Sequence, residues 1–158
     1  AVDLGCGDFN VGRHVRDLCN RYIACDVVPA LIERNAKLFG RLDVDFRCID
    51  ITTDGLPSGD IVFIRQVLQH LSNKQIECVV GKLSVYKYLI LTEHLPSSDE
   101  FSPNIDKPIG AGTRLGRGMD SGIVLTLAPF NLSIKSEQII CEVPLVGGII
   151  RTTVYAMR

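Results

Sequence analysis

Val2-Asp3-Leu4-Gly5-Cys6-Gly7-Asp8 is the stretch on which the reading of the chain turns. A short apolar run ends in two closely spaced glycines, and Val11, Val15 and Leu18 then recur at helical spacing, predicting a first helix over roughly 10–20. A strand ending in a glycine turn before a helix lets a ligand approach the backbone at the strand's C-terminal end.

Outward from that stretch, strands alternate with helices. Tyr22 to Val27 is a second apolar run, and Pro29 suits the first turn of a helix whose buried stripe is Leu31, Ile32, Ala36 and Phe39, ended by Gly40. Val44 to Ile51 reads as a third strand, Asp54-Gly55-Leu56-Pro57 as a turn and Ile61 to Ile64 as a buried fourth strand. Ser72 and Gln75 form a capping box ahead of Ile76, Val79, Val80 and Leu83, and Tyr88 to Leu91 is a fifth strand. This order implies an α/β fold, doubly wound around a mostly parallel sheet. Gln138 to Val143 and Ile149 to Ala156, separated by Pro144 and Gly147-Gly148, predict a closing antiparallel hairpin. No repeat or second domain is visible, so one domain over 1–158 is expected, with a long irregular loop at 95–122.

Composition narrows the function classes. Apolar residues make up 46% of the 158, enough for a core without disulfides or a structural metal. A net charge of −1 gives no bulk field for nucleic acid or an anionic membrane. The apolar runs are strand-sized, short of the roughly 20 residues a membrane span needs, and no signal-peptide pattern is present. Six cysteines stand at 6, 19, 25, 48, 78 and 141 with no two-residue spacing, which argues against a zinc knuckle and for reduced thiols in the cytoplasm. No metal site is expected.

Two cofactor classes use a glycine turn of this kind. The dinucleotide fingerprint asks for a third glycine where Asn10 stands, and Asp3 and Asp8 would repel a pyrophosphate. An acidic residue two positions before the first glycine suits a ligand bearing an ammonium and a sulfonium. Asp26 lies 19 residues past Gly7, and an ionised carboxylate there can accept two hydroxyl protons at once.

On these residues the chain resembles the class I S-adenosylmethionine-dependent methyltransferases, over nearly its whole length. Asp3-Leu4-Gly5-Cys6-Gly7 is similar to the family's glycine-rich first motif, which cradles the methionine part of the cofactor. Cys25 to Glu33 resembles the second motif, which implies Asp26 on both ribose hydroxyls with Val27 beside it. Cys48-Ile49-Asp50-Ile51 resembles the adenine-binding segment, with Asp50 toward the exocyclic amine and Ile51 adjoining. Asp60 to Leu71, including Arg65 and Gln66, resembles the motif on and after strand four. The resemblance implies a seven-stranded Rossmann-like sheet, S-adenosylmethionine as cofactor and a methyl acceptor that is a small molecule, with nucleic acid or protein acceptors left open. It departs at Phe9, where the family has a third glycine. The family also has a helical segment ahead of strand one; this chain opens inside that strand, so a domain without that segment is expected.

Plainer readings stand beside these. Asp3 can cap the glycine turn, Asp26 can cap the second helix, and Asp50 can be a turn residue. His70 and His94 are candidate bases for a hydroxyl acceptor, since imidazole titrates near neutrality; His70 serves equally as a structural residue. Glu93 and His94 end the fifth strand, and the segment from Leu95 to Gly122 leaves that edge as expected cover over the acceptor. In it Arg114 and Arg117 are either solvated or grip an anionic acceptor. The alternatives in function are a methyltransferase-like module that binds without turnover and a nicotinamide-dependent oxidoreductase on a similar sheet.

Overall fold

The computed structural model describes residues 1–98, 100–116 and 119–157. Its strands are β1 (Val2–Leu4), β2 (Tyr22–Asp26), β3 (Val44–Cys48), β4 (Ile61–Arg65), β5 (Tyr88–Leu95), β6 (Ser136–Leu145) and β7 (Gly148–Ala156). They form one sheet in the order β3-β2-β1-β4-β5-β7-β6, parallel from β3 to β5 and antiparallel in the last two pairings. This is the Rossmann-like arrangement with a closing hairpin that the sequence leads one to expect.

Near-continuous apolar runs make β1, β2 and β4 central strands buried on both faces. Val2, Leu4, Ile23, Cys25, Val62 and Ile64 pack on one face with α3 (Asn73–Leu83). Tyr22, Ala24 and Phe63 pack on the other with Phe9 and Ile32. The capping box forms as expected: the Gln75 amide N–H donates to Ser72 Oγ, and Gln75 Oε1 accepts the Ser72 N–H at 3.1 Å.

Three local expectations are corrected. The first helix is cut to α1 (Gly12–Val15) and a 3-10 turn at Arg16–Leu18, with Val11 and Leu18 exposed. Arg16 turns inward instead and donates to the carbonyls of Cys19, Leu42 and Asp43. In α2 (Pro29–Leu38) the buried stripe takes Asn35 in place of Ala36. The irregular segment runs past 122 to 135, and it contributes Ile123, Leu125, Phe130 and Leu132 to the core. It is no loose cover: Asn104 is buried, with Nδ2 donating to the carbonyls of Val124 and Ala128 while Oδ1 accepts the Val124 N–H.

Candidate active site

The chain crosses over between β1 and β4, where strand order reverses, and ligands of open α/β sheets bind at such a point beyond the strand ends. A cleft of about 620 Å³ lies there. Gly5, Gly7, Asp26, Val27, Asp50, Ile51, Arg65, Gln66 and His70 all line it, so nine residues singled out in the sequence come together. Ile109, Gly110 and Ala111 line it as well, and the Gly110 N–H donates to the His70 carbonyl at 3.0 Å.

The turn after β1 is built from within. Gly5 and Gly7 have φ of +80° and +55°, and Phe9, where the third glycine was expected, keeps the same left-handed backbone at +62°. A side chain rarely adopts that conformation, but the buried Phe9 ring packs edge-on against Tyr22, Phe39 and Phe46 at 5.0–5.7 Å, which offsets the strain. At Gly5 a Cβ would stand 2.2 Å from Val67 Cγ2. Gly5→Ala is therefore expected to displace Val67 or the turn and to weaken cofactor binding at least tenfold, or about 1.4 kcal/mol, as titration calorimetry would show.

Most of the turn's N–H groups are already spent. Those of Gly5 and Cys6 both donate to the Cys25 carbonyl, that of Phe9 to the Cys6 carbonyl and that of Asn10 to Asp8 Oδ1. The Gly7 N–H donates to Asp26 Oδ2 at 2.9 Å, and the Gly7 carbonyl accepts from Asn35 Nδ2 at 2.7 Å. A pyrophosphate finds no free amide among these five, and α1 has only four residues, which weighs against the nicotinamide alternative.

Asp26 takes one backbone N–H on each oxygen, Gly7 on Oδ2 and Val28 on Oδ1 at 3.0 Å. One lone pair per oxygen remains, which matches two adjacent hydroxyls. Its capping and binding readings are therefore compatible. Asp50 spends Oδ1 on the N–H and hydroxyl of Thr52, and these bonds hold its pKa below the ordinary value. Lys82 pins the same turn by donating to the carbonyls of Ile51 and Asp54. The donor set, with apolar walls at Val27, Ile49 and Ile51, fits the adenosine half of S-adenosylmethionine.

Asp3 is corrected. It is fully buried beneath the cleft and lines none of it. Oδ2 accepts from Arg65 Nη2 at 2.8 Å and from the Tyr22 hydroxyl at 3.0 Å, so Asp3 reaches the cleft only through Arg65. Burial raises the Asp3 pKa against the pull of Arg65; for Arg65, burial opposes the charge and Asp3 more than restores it. Cys6 is likewise buried in the core, its thiol pushed up to about 12 by burial, and only its backbone serves the turn.

The two candidate bases separate. His70 lines the cleft from a 3-10 turn (Leu68–His70), with Nδ1 buried and without a protein partner. His94 is corrected: it lies on β5 against Gly148, outside the cleft lining, and burial lowers its pKa. Arg65 Nη1 is also buried and unpartnered, an unmet polar atom on a cleft-lining residue that a polar ligand can relieve; Asp3 Oδ1 and Gln69 Oε1 are unpartnered outside the lining. Arg114 is corrected too: it is 1% exposed and meets protein carbonyls, not an acceptor. Arg117 lies outside the described residues. Asn35 was missing from the sequence-level site, because it looked like one polar residue on an exposed helix face; Glu93, read as lying beside the reacting edge, lines none of the cleft and accepts the Leu68 N–H instead.

The sheet order, the glycine turn and the acidic end of β2 are those of the Rossmann-like class I methyltransferase fold. The chain belongs to the family described as "Methyltransferase domain", whose sequence profile matches residues 2–85. Over 91 residues it is 29% identical to phosphoethanolamine N-methyltransferase 1 of Triticum aestivum, a stretch covering 52% of this chain and 18% of that protein. The fold is shared with the N-methyltransferase NodS from Bradyrhizobium japonicum, with TM-score 0.69, 12% identity and coverage of 98% of this chain and 76% of that one. It is also shared with human N-acetylserotonin methyltransferase, with TM-score 0.68, 15% identity and coverage of 98% and 46%.

Proposed function

We propose that the chain transfers a methyl group from S-adenosylmethionine to a small-molecule acceptor, with His70 serving the acceptor. The observation that carries this reading is one cleft lined by Gly5, Gly7, Asp26 and Asp50 together with His70 and Ile109–Ala111. Its volume of about 620 Å³ falls within the range of about 300–1,000 Å³ usual for small-molecule sites. Phosphoethanolamine and N-acetylserotonin, named in two of the similar proteins, are small molecules, which favours an acceptor of that size.

When bound, S-adenosylmethionine supplies a methyl group already activated on a sulfonium. What remains for the protein is alignment, exclusion of water and custody of a proton. Asp26 accepts the ribose hydroxyls on its two free lone pairs, Asp50 faces the adenine amine, and Arg65 and Gln66 border the methionine end. Leu71 and Ile109 exclude water, and the His70 imidazole takes the proton that the acceptor releases. The six free thiols support a reducing, cytoplasmic setting, and no helix among the described residues is long and apolar enough to cross a membrane.

Titration calorimetry on the whole chain tests the reading. One S-adenosylhomocysteine per chain is expected, with no binding of nicotinamide dinucleotide; the reverse overturns it. Asp26→Ala is expected to weaken binding by about 2 kcal/mol, or about thirtyfold. Because Asp26 also holds the Gly7 and Val28 N–H groups, the ligand-free melting temperature should fall as well. Methyl transfer is then assayed on small amines and alcohols, beginning with phosphoethanolamine. Tight cofactor binding without turnover on any of them would make the chain a binding module.

A further inference from the structure

The Leu68–His70 turn closes little of its own structure. His70 N–H donates to the Val67 carbonyl and Leu71 N–H to the Leu68 carbonyl, both at 3.0 Å, and three residues of 3-10 helix do not persist alone. Two buried ionisable residues meet its ends. Glu93, 2% exposed on β5, accepts the Leu68 N–H on Oε1 at 3.1 Å. Arg114, from the irregular segment, spends its guanidinium on the far end: Nη1 donates to the carbonyls of Leu68 and Gln69 at 3.4 and 3.3 Å. Nη2 donates to the Leu71 carbonyl and to Asn73 Oδ1, both at 2.9 Å, and Nε donates to the Ile105 carbonyl at 2.8 Å.

We infer that Glu93 and Arg114 are positioning residues that clamp the His70-bearing turn at the cleft from its two ends. The inference rests on His70 being the residue that serves the acceptor. A hydrogen-bond acceptor at the free N–H end and a cation at the free carbonyl end are what a helical turn's polarity asks for. Burying a carboxyl and a guanidinium is costly unless the geometry they enforce matters, since apolar residues of similar size often match buried ionisable groups in stability. Arg114's planar fork reaches acceptors on residues 68, 69, 71, 73 and 105 at once, which a lysine ammonium cannot. The same turn is tied to the cleft-lining segment: Gly110 N–H and Lys107 Nζ both donate to the His70 carbonyl, at 3.0 and 3.3 Å.

The test reads the His70 ring directly. Side-chain ¹H–¹⁵N spectra of Arg114→Lys, Arg114→Met and Glu93→Leu are compared with wild type, His70→Gln identifying the His70 signals. The His70 signals are expected to shift and broaden while those of His14 stay in place, and Glu93→Gln, which keeps an acceptor for the Leu68 N–H, is expected to restore them. Turnover should fall about tenfold to a hundredfold with S-adenosylhomocysteine affinity within about threefold, the pattern of misplacement at the reacting end. If Arg114→Met does not fold, Arg114→Lys decides. Folded Arg114 variants with His70 signals coincident with wild type overturn the clamp, whereas wild-type turnover in His70→Gln overturns the His70 reading and leaves the spectral result standing.

Discussion

Stability against unfolding is expected to drop as pH rises from about 4.5 to about 8, and Glu93→Gln is expected to abolish that part of the drop. Burial pushes the Glu93 carboxyl up to about 8 from an ordinary value of 4.5, against the pull of the Leu68 N–H and Arg114. The native state therefore keeps a proton that the unfolded chain releases above 4.5. Stability is full below that pH and is lost until the native carboxyl also ionises. At 1.36 kcal/mol per pH unit the loss is on the order of 4–5 kcal/mol. Burial raises Asp3 in the same direction, whereas hydrogen bonds hold Asp50 and Asp106 low and act only at more acid pH. Urea unfolding of wild type and Glu93→Gln at pH 5, 6.5 and 8 isolates the residue, because glutamine imitates the protonated acid. The variant should gain on wild type at each step, and parallel curves would sink the assignment.

What the sequence made legible is what short-range chemistry encodes. The two glycines, Pro29 and the Ser72–Gln75 box each act within a turn of their own position, and each sits in the structure where its local chemistry asks. Asp26 was readable because its spacing from Gly7 fixes one β-α-β unit, and the hydrogen bond between them spans those same 19 residues. Arg114 was not readable. A cation in a glycine-rich loop looks solvated, and its acceptors lie up to 46 residues away. The stripe of α1 failed for a related reason: Phe9 fills the space beneath the sheet from outside the helix, so Leu18 has nothing to pack against. His94 shared its strand end with Glu93, but alternation along β5 sends the two to opposite faces, and neither face of that strand belongs to the cleft lining. Sequence position alone put both beside the reacting edge.

The largest effect on catalysis is expected from His70→Ala, which should lower kcat by about 10²–10⁴-fold, the usual worth of a positioned proton acceptor. The variant should fold, because the bonds that hold the turn to its surroundings use the His70 backbone carbonyl rather than the ring. The ring makes one long contact, Nε2 to Gln69 Nε2 at 3.4 Å, and leaves Nδ1 unpartnered, so its loss frees few protein groups. S-adenosylhomocysteine affinity should stay within about threefold, since the groups assigned to the ribose and adenine are Asp26 and Asp50 rather than the His70 ring. A pH series adds a second readout. An acceptor that has lost its proton to solvent needs no base, so the deficit of His70→Ala should shrink as pH rises toward the acceptor's own pKa. A deficit constant over pH would mean that the ring orients the acceptor without taking its proton. Turnover within twofold of wild type, or a parallel collapse of affinity and melting temperature, would assign His70 to the scaffold and return the search for a base to the Gln66 side of the cleft.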